Sequence, residues 1–254
     1  MEITEKRLAI IPCAGKATRM GMVNIPKCLY EIKGKPALLN ILERLDSYFS
    51  YFYIPISDEK NSEELFKKNI PSSYLKKIKF IKSISGSGDG QAVLDALEVI
   101  NQKKVSNHVF VCWGDSYFEK SPPLKDLINF IEKNFDQDLI IPTQKVINPY
   151  VTYFSDKENN LLKVAFSRRG EYYKEGLTDL SIFFIKPIPI QKHLLSLKTS
   201  QRNSLEKELN FLDLVELLFS LKNPAKTLDG KPYVKVHSFN TVDEAREIND
   251  KLPN

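Results

Sequence analysis

Across the first 145 residues, short apolar runs alternate with longer amphipathic stretches, and few folds accept that order. Residues 8–11 (LAII) form a compact apolar run closed by Pro12, as a buried strand would. Residues 36–49 place Leu38, Leu39, Leu42, Leu45 and Phe49 at mostly helical spacing, with Pro36 suited to a first helical position. YFYIPI at 51–56 and residues 78–84 predict two further strands, and residues 92–100 a helix. HVFVCW at 108–113 reads as a strand that runs straight into Gly114-Asp115. A helix over 124–135 and a strand over 139–141 follow. Strands separated by helices predict a Rossmann-like α/β fold, with a mainly parallel central sheet and helices on both faces.

The pattern changes near Pro149. Residues 150–154 and 161–166 flank a polar turn, DKENN, and predict a hairpin. LSIFFI at 180–185 predicts a strand. A helical stripe runs over 203–221 through Leu205, Leu209, Leu212, Val215, Leu218 and Phe219. A strand over 233–236 and a closing helix over 242–252 complete the reading. No internal repeat and no linker rich in Gly and Ser interrupts the chain. The expectation is a single domain over 1–254, with a first half to about 145 and a smaller β-rich lobe from about 146 packed on it.

Composition narrows the class. Hydrophobic residues make up 42% and charged residues 27% of the 254, which sets aside disorder, collagen and disulfide scaffolds. The formal charge of +5 suits an anionic small ligand and is too diffuse to argue for nucleic acid. Cys13, Cys28 and Cys112 make an odd count with no C-x-x-C pair, as in a reduced, cytoplasmic chain without a zinc site. His108, His193 and His237 are far apart in sequence, which weakens a histidine metal cluster. The first ten residues carry two glutamates and predict no signal peptide, and no apolar run reaches the ~18 residues of a membrane span.

The chemistry concentrates in residues 10–27, IIPCAGKATRMGMVNIPK. A predicted strand ends at Pro12, and a small-residue loop follows: Cys13, Ala14, Gly15, Lys16, Ala17 and Thr18. Small residues let backbone N–H groups approach phosphate oxygens. Arg19 adds a planar fork matched to phosphate, and Lys27 a compact positive charge. Two commoner phosphate loops are excluded. Ile10 stands where a P-loop needs its first glycine, and Ala17 where it needs Ser or Thr. Gly86, Gly88 and Gly90 approach the dinucleotide fingerprint, but Gln91 occupies its last glycine position.

This segment resembles the sugar nucleotidyltransferase (NDP-sugar pyrophosphorylase, cytidylyltransferase-like) family, whose signature is A-G-x-G-T-R-[LM] followed by P-K. Here it reads Ala14-Gly15-Lys16-Ala17-Thr18-Arg19-Met20 and then Pro26-Lys27, with Ala17 in place of one glycine. CLYEIKGKPALLNILERL is similar to the family's continuation. The stretch Gly88-Asp89-Gly90-Gln91-Ala92 is similar to its G-T-A-x-A, and Trp113-Gly114-Asp115 to its G-D metal aspartate. Ser167-Arg168-Arg169, followed by residues 177–184, resembles its acceptor region without that region's acidic residue. Asn240-Thr241-Val242-Asp243-Glu244 is similar to [DN]-T-P-E-[DE].

The resemblance implies a nucleotide-binding first half and an acceptor-binding second half. A nucleoside monophosphate would pass from an NTP, a pyrimidine favoured, to a phosphate monoester such as a sugar 1-phosphate. Arg19, Lys27 and Asp115 would be catalytic. Ala14, Gly15, Lys16, Ala17, Thr18, Gly88 and Gln91 would hold the nucleotide, and Arg168, Arg169 and Asp179 the acceptor. Asp115 and Asn240 would hold Mg2+, with Asp243 the alternative to Asn240; Asn240 also fits a helix N-cap. The partners implied are small molecules rather than nucleic acid or membrane, and a homodimer is the general expectation. Short relatives of the family activate phosphocholine with CTP, so a non-sugar phosphate stays open as acceptor. A glycosyltransferase is a second reading, though Asp115-Ser116-Tyr117 lacks the second aspartate of D-x-D. A catalytically silent nucleotide-binding module is a third.

Overall fold

The computed structural model describes residues 7–15, 20–21, 25–101, 108–120, 124–201, 208–220 and 225–252. Strand β1 (Leu8–Ile10) is the pivot of the sheet. After it come a 3-10 turn at Lys27–Leu29, a short hairpin of β2 (Glu31–Ile32) and β3 (Lys35–Pro36), and α1 (Ala37–Leu45). The chain then forms β4 (Tyr51–Ser57), α2 (Ser62–Asn69), α3 (Ser72–Leu75) and β5 (Ile78–Ser83). From α4 (Asp89–Asn101) it crosses β1 to β6 (Val109–Cys112), so that β6 and β4 flank β1 in parallel. That reversal of direction is the topological switch point, where α/β sheets open a crevice at their strand ends.

The second half continues the same sheet. After β7 (Ser116–Phe118) and α5 (Leu124–Asn134) come β8 (Leu139–Ile147), β9 (Val151–Ser155), β10 (Leu161–Phe166), β11 (Glu175–Asp179) and β12 (Ile182–Ile185). Then follow α6 (Pro187–Gln201), α7 (Phe211–Ser220), β13 (Lys226–Asp229), β14 (Val236–Ser238) and α8 (Val242–Lys251). The order is β10-β9-β11-β8-β12-β6-β1-β4-β5, with β13 on β8. The ladders β6-β1-β4-β5 are parallel, while β12 joins β6 and β8 antiparallel. The strands of the second half thus extend the same sheet as a mainly antiparallel arm, with β13 parallel to β8.

Alternation along the strands sorts side chains to two faces. Ala9, Phe110, Cys112, Ile182 and Phe184 pack under α1, α2 and α5, with Leu42, Phe66 and Leu127. Leu8, Ile10, Val109, Val111, Phe183 and Ile185 pack under α4, α6 and α7, with Leu97, Leu194 and Val215. Both faces are covered, which is why the central strands read as unbroken apolar runs. The hairpin over DKENN forms as β9-β10, with Asp156 accepting from the N–H groups of Glu158 and Asn160.

Three local expectations move. Pro36 is extended (φ −50°, ψ 137°) and pairs with Glu31, so α1 starts after it. The predicted strand at 233–236 shifts on to β14, because Tyr233 and Val234 donate back to Gly230 O in a turn. The long stripe over 203–221 yields a helix only from Phe211 within the described residues, Leu205 lying outside them. Leu209 is buried but not helical: its N–H goes to Ser87 O at 2.9 Å and its O accepts from Gly90 N at 2.8 Å. No helix among the described residues is long and apolar enough to cross a membrane.

Candidate active site

The ends of β1 and β6 open into a cleft of about 730 Å³. Beyond β1 the chain still follows β4: Ile11 N donates to Tyr53 O and Cys13 N to Pro55 O. Residues 12–15 therefore leave the sheet as a short wall of the cleft, and Ala14 and Gly15 line it. Gly114 closes the gap between the two strand ends. A Cβ there would stand 2.6 Å from Cys13 Sγ and 2.8 Å from Pro12 O, so the backbones approach as only glycine permits. Cys13 and Cys28 line the floor as thiols; burial pushes Cys13 up, and its hydrogen bond with Cys28 adds to that. Such surroundings do not make Cys13 a thiolate nucleophile.

Lys27 opens the 3-10 turn, whose next two residues, Cys28 and Leu29, are buried and anchor it. Asp115 stands three residues beyond the end of β6, after Trp113 and Gly114. Asn240 lies 125 residues further on and is delivered by a small ribbon: β7 and β14 pair antiparallel with Ser116 opposite Ser238, and Phe239 N donates to Asp115 O at 3.2 Å. Phe239 is fully buried against Ala37, Tyr117, Ala245 and Ile248, which fixes the residue after it. Buried Asn40 pins the ribbon to α1, accepting from Phe118 N at 2.8 Å and donating to Phe118 O at 3.2 Å.

The three sequence-predicted residues meet. Lys27 Nζ donates to Asp115 Oδ2 at 2.5 Å and to Asn240 Oδ1 at 3.0 Å, with the Phe239 ring centroid 5.6 Å away. Asn240 is not the helix cap. Thr241 caps α8 in a capping box: its Oγ1 accepts from Glu244 N at 3.2 Å, while Glu244 Oε2 accepts from the N–H groups of Asn240 and Thr241. The Asn240 side chain is thereby released toward Lys27. Asp243 lies on the exposed side of α8, paired with Arg246 at 3.2 Å, and does not line the cleft.

The opposite wall holds Gly88, Asp89 and a strap formed by Glu208, Asn210 and Leu212. Asp89 Oδ1 accepts from Phe211 N at 2.8 Å, which ties the strap to the start of α4. The lining also includes Trp113, Gln144, Tyr150, Thr178, Asp179 and Ser181. Trp113 is set edge-on against Phe211, with ring centroids 5.5 Å apart. Asp179 Oδ1 accepts from Ser181 N at 2.8 Å and its Oδ2 from the Tyr153 hydroxyl at 3.0 Å. Burial pushes the Asp179 carboxyl up against the pull of those bonds, and burial together with the Asp179 charge pushes the Tyr153 phenol up. Sequence reasoning missed Trp113, Tyr150, Glu208 and Asn210. Asp89 was visible within the glycine-rich stretch.

Two expected contacts lie elsewhere. Gln91 is buried in α4, and its Nε2 donates to Asp95 Oδ1 at 2.6 Å while Asp95 Oδ2 accepts from Ser83 Oγ. It ties α4 to β5 and does not line the cleft. Arg169 bridges Asp213 at 3.1 Å and Glu216 at 2.6 Å, with its guanidinium 4.6 Å from the Phe166 ring centroid. It lines a separate, shallow depression, away from the cleft. Arg169→Ala is accordingly expected to change the acceptor KM by less than about 3-fold and to lower Tm by roughly 2–4 °C, as loss of about 1 kcal/mol does in a chain of this size. A tenfold rise in KM at unchanged Tm would return Arg169 to the site. Lys16, Ala17, Thr18 and Arg19 lie outside the described residues, as does the side chain of Arg168.

The described residues thus bring together a mixed α/β sheet with a parallel half, a small-residue wall at the switch point and a Lys-Asp-Asn constellation. The chain matches the MobA-like NTP transferase domain over residues 9–171, more than half its length, and belongs to that family. It is 30% identical over 179 residues to the bifunctional protein GlmU of Methanocaldococcus jannaschii, covering 69% of this chain and 39% of that one. It is 30% identical over 161 residues to the 2-C-methyl-D-erythritol 4-phosphate cytidylyltransferase of Clostridium tetani, covering 55% and 65% respectively. The chain thus spans well under half the length of the GlmU relative. The crystal structure of HddC from Yersinia pseudotuberculosis complexed with GMP-PN superposes with a TM-score of 0.70 at 19% identity, over 96% of this chain and 99% of that one. That likeness shows the fold.

Proposed function

We propose that this chain transfers a nucleoside monophosphate from an NTP to a phosphate monoester, releasing pyrophosphate. The observation that carries the reading is the convergence of Lys27, Asp115 and Asn240 at one point of the cleft. In the proposed reaction an acceptor phosphate oxygen bonds to the α-phosphorus, and the bond from that phosphorus to the bridging oxygen of pyrophosphate breaks. The second pKa of a phosphate monoester is about 6, so the attacking oxygen is already anionic at neutral pH. No protein base is required, and no histidine lines the cleft among the described residues. The work left to the protein is alignment and charge stabilisation.

Residues 12–15 and Gly88 would hold the nucleotide, and Arg19 the departing pyrophosphate. Lys27 would bridge the α-phosphate and the acceptor. Asp115 and Asn240 suit Mg2+: both offer hard oxygens, and both already converge on a single cation, the Lys27 ammonium. When bound there, Mg2+ would neutralise charge developing on the phosphates. Similarity to a named cytidylyltransferase supports a pyrimidine, CTP or UTP. The cleft lining also includes the carboxyl groups of Asp179 and Glu208 and the rings of Trp113 and Tyr150, groups that suit sugar hydroxyls. It also suits an ammonium group, which keeps phosphocholine as a second acceptor.

The test starts with thermal shift against ATP, GTP, CTP and UTP, each with and without Mg2+. A triphosphate at ~100 times its Kd adds about 2.7 kcal/mol, a rise on the order of 5–10 °C. The stabilising triphosphate is then assayed for pyrophosphate release with sugar 1-phosphates and phosphocholine. Metal-dependent release with one of them supports the reading. Stabilisation by nucleoside diphosphates or NDP-sugars alone, without release, would favour a glycosyltransferase or a silent binding module.

A further inference from the structure

We propose that Lys27 has a second task. In the nucleotide-free protein its ammonium group is the cation that fills the Asp115–Asn240 oxygen pair, and it keeps a divalent ion out until a triphosphate draws the lysine away. This rests on the metal site proposed above, and three observations carry it.

The first is occupancy. Lys27 Nζ spends two of its three N–H donors on Asp115 Oδ2 (2.5 Å) and Asn240 Oδ1 (3.0 Å), the two oxygens suited to the metal. A divalent ion on that pair would sit within a few ångströms of a fixed positive charge, and like charges at that range oppose binding strongly. The second is confinement. The side chains of Lys27 and Asp115 are only 18% and 27% exposed, and Lys27 is anchored through buried Cys28 and Leu29. The lysine has to be offered a better partner before it leaves.

The third is charge count. Asn240 contributes no charge, so the pair carries one negative charge, matched by one ammonium. Among the described residues no group of three or more His, Cys, Asp or Glu side chains could hold a metal. A divalent ion on this pair therefore gains strongly from anionic oxygens outside the chain, and a triphosphate supplies them. The same triphosphate offers Lys27 phosphate oxygens, so lysine departure and metal entry become one event. Metal and nucleotide then raise each other's affinity by the same factor.

The experiment is Mn2+ titration of the nucleotide-free protein, followed by the electron paramagnetic resonance signal of free Mn2+ and by the Tm shift Mn2+ produces. Wild type is expected to bind weakly, and Lys27→Met at least ~10-fold more tightly, the range of ordinary coupling energies. Lys27→Met/Asp115→Asn should fall back to weak binding. If Lys27→Met does not fold, Lys27→Gln keeps the polar contacts without the charge and takes its place. Equal Mn2+ affinity in wild type and the charge-free variants, or tight binding by wild type without nucleotide, overturns the proposal. Asp115→Asn alone separates the two ideas. If it removes metal-dependent pyrophosphate release while Lys27→Met binds Mn2+ no better than wild type, the metal site stands and the lysine gate falls. If it leaves release intact, the metal reading fails and takes the gate with it.

Discussion

Asp115→Asn is expected to lower pyrophosphate-release turnover by roughly 10²–10³, the scale of losing one electrostatic stabiliser of a phosphoryl transition state. The substitution keeps the shape of the side chain and an oxygen for Lys27 Nζ, now 2.5 Å from Asp115 Oδ2, and removes one negative charge. Stability moves much less than turnover. The pair is partly buried, so loss of the carboxylate leaves Lys27 under-compensated, but water and Asn240 still reach the ammonium. A cost of about 1–2 kcal/mol follows, or roughly 2–8 °C in Tm. Raising Mg2+ should recover part of the turnover if the lost charge served the metal. Turnover within about threefold of wild type would remove Asp115 from the reacting centre and move the metal elsewhere. The double substitution with Asn240→Ala should cost less than the product of the single effects, because both oxygens serve one cation.

What the sequence made legible follows from length and spacing. The β1-α1-β4 and β5-α4-β6 units were readable because buried parallel strands are continuous apolar runs and the helices between them carry one clear stripe. Lys27, Asp115 and Asn240 were readable as motif members, though not as neighbours. The ribbon that joins them consists of SYF and VHS, three residues each, too short to show a period. The strap was misread because Leu209 falls at helical spacing with Leu212, yet it lies ahead of α7 and its N–H and O go to Ser87 and Gly90 instead. Arg169 was misdirected for a related reason. A motif locates a segment but not its facing, and the acids that claim Arg169 lie 44 and 47 residues along the chain. Tyr150 gave no signal beyond being aromatic, and Trp113 none beyond standing next to Gly114-Asp115, since many aromatic residues simply fill the core.

Gly88→Ala is expected to be the most destabilising single methyl addition among the cleft glycines, at about 3 kcal/mol or more. Two causes add. Gly88 has φ +97°, where an L side chain is strained, and a Cβ there would stand 2.3 Å from Leu209 O and 2.8 Å from Leu209 C and N. The obstacle is backbone and cannot rotate aside. Leu209 is also held from three directions: by Ser87 O on its N–H, by Gly90 N on its O, and by the core around its side chain, which is 4% exposed. The strap has to shift, and with it Glu208, Asn210 and Leu212 on the cleft wall. Tm should fall by roughly 6–12 °C, and KM for the nucleotide or acceptor should rise with it. Gly86→Ala is the control. Gly86 has φ +80°, but a Cβ added to it would meet no heavy atom within 4 Å among the described residues, so only the conformational cost of about 1 kcal/mol remains. Thermal melts of the two variants side by side separate strain from contact. Equal losses would mean that the strap yields freely and the Gly88–Leu209 contact does not hold the cleft's shape. A loss confined to Gly88→Ala, accompanied by weaker nucleotide binding at temperatures well below Tm, would show that this glycine sets the position of a wall the substrate touches.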